Sequence, residues 1–480
     1  MRRSDFTPTH SALPTSDIVS ALHGRIERER DFTFGGFVGL IVLHIILALL
    51  IRQSSTLAIL SLGSVMAFGT YVALTTKRFE RVAYVIAYIV GAEVLWRMTE
   101  GALFWEIGKY GTAFLAGIAL IRMERVKVPG LLLLYFILLL PSAVLTGWDA
   151  DFSETRNNLS FYLSGPLAIL ALGWFFASLK LDVTKLSKIL TFFILPVVGI
   201  GSLSLFGILT TTDIQFTTES NFQTSGGFGP NQVGALLGLG ALAGFLLTLL
   251  EKEGLGKKPV FLFLLFGLFL LSLITFSRSG VLMFAITMGV VVFLLSRLRG
   301  RAAGAYGFVF LIVLSFAIVY PVVDEFTGGS LTDRYSEETT TGRTELIQED
   351  IYFWTDNPIF GVGVGKLKEA RQSGERAAHT EFSRLLGEHG LFGVVALIAL
   401  GISLLRNLFK GDRDVGRIIV AACICWGLLF MAGNALRLVA PAFMLGLSFV
   451  QFSNGNLPDR KTLLEMLRRR LHSSRVSESV

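Results

Sequence analysis

One histidine and a set of arginines are the residues in this sequence best placed to do chemistry. The run His379-Thr380-Glu381-Phe382-Ser383-Arg384-Leu385-Leu386-Gly387-Glu388 reads as a helix that the histidine opens. Phe382 and Leu386 follow His379 at i+3 and i+7, so the imidazole shares a face with apolar residues and points toward protein rather than bulk water. A helix N-terminus disfavours the protonated ring. A neutral histidine can act as a base near pH 7. The plainer alternative is a packed loop histidine with a hydrogen-bond partner.

Arg278 sits in Thr275-Phe-Ser-Arg278-Ser-Gly280 and Arg343 in Thr341-Gly-Arg343-Thr-Glu345-Leu346. Arg437 sits in Asn434-Ala-Leu-Arg437-Leu438 and Arg156 in Thr155-Arg156-Asn-Asn158. A pyrophosphate needs several fixed cationic donors, and the planar guanidinium fork suits its oxygens. For any one arginine, the competing reading is a snorkelling anchor or a local ion pair, such as Arg343 with Glu345 or Glu349.

Other motifs carry less. Gly361-Val-Gly-Val-Gly365 looks like a nucleotide loop, but it lacks a preceding strand and a following dinucleotide unit, so it reads as a tight turn. Asp149-Ala-Asp151 resembles a metal-binding pair but has no histidine nearby, and Asp412-Arg-Asp414 reads as solvated. No metal or cofactor is expected. Cys423 and Cys425 lie in one apolar run and read as buried small hydrophobes. Glu93, Arg97 and Glu100 share one helix; such an intramembrane cluster is either functional or an internal ion pair.

The elements that must position these residues follow from hydropathy. The chain of 480 residues is 52% hydrophobic and 16% charged, against about 25% charged in soluble domains. It is therefore expected to be an all-α, polytopic membrane protein. Spanning helices need about 20 mostly apolar residues. They are expected over 34–51, 55–76, 82–96, 102–121, 128–147, 161–179, 188–209, 232–250, 259–275, 279–296, 304–322, 389–405, 418–432 and 436–452, about fourteen in all. Glu93, Glu106 and Lys109 interrupt the third and fourth.

Basic residues sign this topology, because short cytoplasmic loops concentrate Lys and Arg. With the N-terminus inside, the inside segments hold thirty of the 43 Lys and Arg, and each holds at least three. The outside segments hold twelve, among them Arg156, Arg278, Arg343, Arg384 and Arg437. The chain then divides into a cytoplasmic tail at 1–33, eleven helices over 34–322, one large outer loop at 323–388 carrying short helices, three helices over 389–452 and a basic cytoplasmic tail at 453–480. No cleavable signal peptide is visible in 1–31. Residues 15–30 and 461–472 combine leucines with arginines at helical spacing, as helices lying on an anionic leaflet do. The modest excess of Lys and Arg over the 36 Asp and Glu gives no reason to expect a nucleic-acid partner.

The outer loop carries a resemblance. Gly342-Arg343, Trp354, Asn357-Pro358 and Gly361-Val-Gly-Val-Gly365 are followed by Ala378-His379-Thr-Glu381-Phe382 and Leu386-Gly-Glu388-His-Gly390-Leu-Phe-Gly393. This succession resembles the O-antigen ligase and polymerase superfamily, bacterial polytopic membrane proteins with one large periplasmic loop near the C-terminal end. Ser277-Arg278-Ser-Gly280 resembles the family's Ser-Arg-Gly step, and Gly229-Pro-Asn231 its usual entry to a helix. Thr380 stands where the family more often has asparagine.

The resemblance implies transfer of a glycan from an undecaprenyl-diphosphate carrier to an acceptor hydroxyl at the periplasmic face of the bacterial inner membrane. The acceptor would be lipid A core for a ligase, or a carrier-linked repeat for a polymerase. It implies that Arg278 and Arg343 hold the departing diphosphate and that His379 takes or orients the acceptor proton. Arg156, Asn231, Arg437, Glu381 and Arg384 are the accompanying substrate-binding candidates. The scheme calls for no metal or nucleotide, and membrane lipids are the remaining partners. A secondary transporter, or flippase-like protein, is the rival class. Transporters usually show internal repeats and a midplane site, and no clear repeat is visible here. A scaffold that recruits glycan enzymes is a third reading.

Overall fold

The computed structural model describes residues 32–147, 151–217, 219–251, 256–298, 302–336, 343–371, 378–410 and 415–452. The tail segments 15–30 and 461–472, Asp149, Gly342 and the Asp412-Arg-Asp414 run lie outside the described residues.

The described chain is helical apart from two strands of two residues each. Apolar surroundings dictate this, because backbone groups in hydrocarbon must find partners within their own segment. α1 (Phe34–Ile51) and α2 (Ser55–Thr75) show most of their surface outward. α3 (Glu80–Met98) and α4 (Ile107–Arg122) are the charged pair. Their Glu93, Glu106 and Lys109 all point inward and are buried, so the charges that interrupt the hydropathy meet protein rather than lipid.

The run 128–147 forms two pieces, α5 (Gly130–Ile137) and α6 (Leu140–Thr146). Pro141 lies at the start of the second, where its missing N–H costs nothing. α7 (Phe152–Ala177) leads through β1 (Lys180–Leu181) to α8 (Val183–Thr210), whose cap is Asp182, accepting the Lys185 N–H at 2.9 Å. α9 (Pro230–Leu250), α10 (Lys258–Ile274), α11 (Arg278–Ser296) and α12 (Ala302–Phe326) follow. The segment expected as the outer loop carries α13 (Ser330–Ser336), α14 (Arg343–Asp356) and α15 (Leu367–Ala370). α16 (Glu381–Lys410), α17 (Val415–Asn434), α18 (Ala440–Leu447) and β2 (Gln451–Phe452) complete the chain. Among the described residues, eight helices are long and apolar enough to cross a membrane.

α9 lies at the centre, packed on α8, α10 and α11, and nearly all of it is buried. Its contact with α11 depends on glycines. A side chain on Gly280 would overlap the backbone of Gly234, and one on Gly238 would meet the Gly280 carbonyl at 2.7 Å. Small residues four apart allow this approach, in which backbone packing replaces the hydrophobic drive that lipid does not supply.

The last expected span, 436–452, differs from expectation. Its helix α18 has eight residues, all buried, against α7, α17 and α3. Beyond it the chain pairs β2 in parallel with β1, Lys180 opposite Gln451. A segment enclosed by protein need not carry a lipid-length apolar surface, which accounts for the short helix.

Candidate functional site

The connections that the charge alternation puts on one side come together at one end of the bundle. The segment 210–231 lies on the turn before α11: Asn221 N–H donates to the Thr275 carbonyl at 2.9 Å, and Thr224 Oγ1 to the Ile274 carbonyl at 2.7 Å. Phe216 stacks on Phe276 at 5.3 Å between ring centroids. From the outer loop, buried Arg334 donates through Nε to the Phe276 carbonyl at 3.2 Å.

Three non-glycine residues adopt positive φ, namely Glu100 (55°), Phe276 (58°) and Ala435 (50°). All three lie in connections at this end. Each costs roughly 1–2 kcal/mol relative to a relaxed backbone, and such residues concentrate where surrounding structure holds them for a purpose.

The left-handed turn at Phe276 presents Ser277 and Arg278 at the start of α11. Ser277 Oγ donates to Asn231 Oδ1 at 3.0 Å and lies 3.0 Å from Ser279 Oγ. Asn434 Nδ2 completes the chain, reaching Ser279 Oγ at 3.5 Å. The glycine contact between α9 and α11 brings these groups within reach, since Gly234 also faces Ser277.

A second network fixes the connection that carries Arg437. Arg97 Nη2 pairs with Glu93 Oε1 at 2.8 Å and also donates to the Trp105 carbonyl at 2.7 Å. Arg97 Nη1 donates to Gln232 Oε1 at 2.9 Å and to the Arg437 carbonyl at 3.1 Å. The other Glu93 oxygen accepts the Val439 N–H at 2.8 Å. Of the two readings open for Glu93 and Arg97, the structure gives the internal ion pair.

Arg437 in turn donates through Nη2 to the Ala378 carbonyl at 3.2 Å, and Ala435 N–H donates to the His379 carbonyl at 2.9 Å. His379 is half-buried beside this connection. The helix begins at Glu381 rather than at the histidine, because the Thr380 hydroxyl accepts the Phe382 N–H at 3.2 Å and caps the turn. His379 thus stands just ahead of the helix end instead of inside its first turn.

Arg343 opens α14. Burial and the Arg278 charge both lower its pKa, which places the two guanidinium groups within each other's field. The Arg343 charge also acts on Arg437. Among the described residues, the buried Arg343 Nε has no hydrogen-bond partner. Like charges gathered in partly buried surroundings favour an anion that offsets them. Glu349, one suggested partner of Arg343, lies 3.9 Å from Arg371. The structure therefore brings Arg278, Arg343, Arg437, Asn231 and His379 to one locality.

Three other candidates stand apart. Arg156 is exposed near the start of α7, and no hydrogen bond or ion pair joins it to the cluster among the described residues. Arg384 pairs with Glu381 and Glu388, and also donates to the Tyr162 carbonyl at 3.4 Å. All of its guanidinium nitrogens are taken by protein acceptors, and Arg384 and Glu381 are both buried.

The Gly361–Gly365 turn packs on this same helix. Gly361, Gly363 and Gly365 all have positive φ. Val362 N–H donates to the Gly387 carbonyl at 2.9 Å and Gly363 N–H to the Glu388 carbonyl at 3.1 Å. Its amides are thus spent on protein backbone. Opposite it, α16 kinks at Gly390, with φ 57° and ψ −135°, a conformation open to glycine alone.

The loop helix α14 is held through Asp350, which pairs with Arg371 and accepts from Ser383 Oγ at 2.6 Å. Burial raises the Asp350 pKa, against the pull of Ser383 and Arg371. Arg334, Ser277 and Asn434 are parts of the site that sequence reasoning did not single out. Ser277 and Asn434 flank Arg278 and Arg437 within the quoted motifs, so a signal for them existed; Arg334 had none. Among the described residues, no group of three His, Cys, Asp or Glu side chains could hold a metal ion.

Comparison with known proteins fits this assembly. Residues 231–398 match the family described as O-Antigen ligase. The matched stretch begins at Asn231 and takes in Arg278, Arg343 and His379. Over that stretch the chain is similar to the O-antigen ligase family. No curated protein and no solved structure matches the chain.

Proposed function

We infer, taking membership of the O-antigen ligase and polymerase superfamily as the premise, that this chain transfers a glycan from an undecaprenyl-diphosphate carrier to an acceptor hydroxyl. The reaction takes place at the periplasmic face of the inner membrane. The chain crosses the membrane fourteen times with both ends in the cytoplasm; the support is the alternation of basic segments and the gathering of the opposite connections at the site.

The observation that carries the reading is the convergence of Arg278, Arg343 and Arg437 from three separate connections beside His379. In the transfer, the acceptor oxygen bonds to the anomeric carbon while the bond from that carbon to the diphosphate oxygen breaks. The bonding electrons leave with the diphosphate. Arg278 and Arg343 offset the charge that develops there, and fixed donors do this without reorganising. His379 takes the acceptor proton, and its place ahead of a helix N-terminus favours the neutral ring that can accept one. Arg437 completes the cationic wall. Asn231 holds the Ser277 hydroxyl and so steadies the turn that presents Arg278.

The test is deletion of the gene followed by glycan analysis. Acceptor core without polymer, with long polymer left on its carrier, identifies a ligase. Single repeats on the acceptor identify a polymerase. Normal polymer on the acceptor refutes both.

A further inference from the structure

Three successive carbonyls close the end of α10, and each accepts from a different residue. Thr224 Oγ1 donates to the Ile274 carbonyl at 2.7 Å, and the Asn221 N–H to the Thr275 carbonyl at 2.9 Å. Arg334 Nε donates to the Phe276 carbonyl at 3.2 Å. The last carbonyls of a helix have no partner within it, so their donors come from outside. Two of these donors belong to the segment before α9. Arg334 belongs to α13, which follows α12, and its side chain is buried.

α13 is itself anchored. Thr332 N–H donates to Asp324 Oδ1 at 2.9 Å, and Leu331 N–H to Thr327 Oγ1 at 3.3 Å. Leu331 and Val323 share a small core with Leu273, Phe276 and Val281. Tyr335, next to Arg334, packs against that core. Burial raises the Tyr335 pKa, and the charges of Arg334 and Arg278 oppose the rise, so Arg278 lies within the field of α13.

Arg278 follows Phe276 by two residues. Phe276 holds φ 58°, a conformation that a side chain disfavours and that surrounding contacts must maintain. Asn231 fixes Ser277 from the α9 side at 3.0 Å, and Arg334 fixes Phe276 from the α13 side. Holds on two consecutive residues set the backbone of the next one. An arginine suits this task, because its planar guanidinium directs Nε–H along a fixed line whereas an ammonium rotates. We propose that Arg334 is a positioning residue for Arg278. It holds the left-handed turn so that the Arg278 guanidinium meets the departing diphosphate, and it does not itself touch the substrate. The proposal rests on the diphosphate reading of Arg278.

The experiment measures the affinity of the full chain, purified in neutral detergent, for undecaprenyl diphosphate, expressed per folded molecule. Arg278→Ala should weaken binding about tenfold, the scale of one hydrogen bond to a charged group. Arg334→Met keeps an apolar stem and removes the donor; it should weaken binding about fivefold or more, through Arg278 alone. Arg334→Lys should restore part of that loss, since it keeps the charge but not the fixed fork. Arg278→Ala with Arg334→Met should bind within about twofold of Arg278→Ala alone, because residues that act through one group are not additive. A merely structural role would lower the thermal midpoint and leave the affinity of the folded molecules unchanged. That result overturns the proposal, as do losses that multiply in the double variant. Where Arg334→Met yields no folded protein, Arg334→Lys supplies the same comparison, alone and with Arg278→Ala. Natural affinity for Arg334→Lys and Arg334→Met beside a weakened Arg278→Ala overturns the proposal but leaves the diphosphate reading in place. Natural affinity for Arg278→Ala removes that reading, and the proposal with it.

Discussion

Glu93 accepts the backbone N–H of Val439 at 2.8 Å, across 346 residues of sequence, while its second oxygen holds Arg97. The carboxylate thereby ties the third helix to the connection that presents Arg437. Glu93→Gln keeps the shape but removes the charge that balances a buried Arg97. Breaking such a pair costs about 3–5 kcal/mol. Thermal unfolding in detergent should show a clear loss of stability, and transfer activity should fall with it because Arg437 is no longer held. A variant as stable and as active as the natural chain would refute this role.

Arg278→Ala, Arg343→Ala and Arg437→Ala should each lower transfer by about tenfold or more, as loss of a positioned donor to developing charge does. Transfer should fall by far more than the thermal midpoint, because Arg278 and Arg343 stand at the first positions of their helices and Arg437 in a connection, not within a helix-to-helix contact. Lysine at these positions should restore part of the rate but not all, since an ammonium lacks the bidentate fork. Activity assayed with lipid-linked donor decides it, and three fully active alanine variants would remove the diphosphate assignment.

His379→Ala should abolish or strongly reduce transfer with normal expression, on the order of 10²-fold or more for loss of a general base. The contrast is His389, which is completely buried and has no access to an acceptor. His389→Ala should act on stability instead. Equal kinetic effects with no change in midpoint for both variants would show that the two histidines are wrongly separated.

Gly280→Val should impair folding, because its side chain would enter the backbone of Gly234. Overpacking of this kind costs about 1–3 kcal/mol or more. Gly289, on the same helix, faces open space, so Gly289→Ala should be neutral or slightly stabilising. Yield and thermal midpoint in detergent compare the two directly.

Asp350→Ala should detach the loop helix α14 and with it Arg343. The change leaves Arg371, whose side chain is wholly buried, without its close carboxylate. Limited proteolysis should then cut within 343–371 while the membrane helices stay intact. Resistance equal to the natural chain would rule out this anchor.

The all-helical, apolar character of the chain was legible because hydropathy is a local property. The helical boundary near 389 was also legible, and it falls beside the Gly390 kink. The network around Glu93 was not, because nothing near residue 93 points to Val439 or Gln232. Charged residues in α3 and α4 weakened the expectation of spans there, and only packing shows that they turn inward. Gly234 and Gly238 stand in plain view four residues apart, yet their partner Gly280 lies on another helix. Arg384 was misleading for a similar reason. Its partners Glu381 and Glu388 are adjacent in sequence, but burial alone tells a saturated guanidinium from one that can meet a substrate.

The link from Glu93 to Val439 also dictates the order of events at the ribosome. Arg97 and Glu93 enter the membrane early, whereas the amide that completes their network is made near the end of synthesis. During most of translation the nascent chain therefore holds an ion pair with its other acceptors and donors still missing. A chain stalled before Val439 would therefore lack the hydrogen bond that ties the third helix to the connection carrying Arg437.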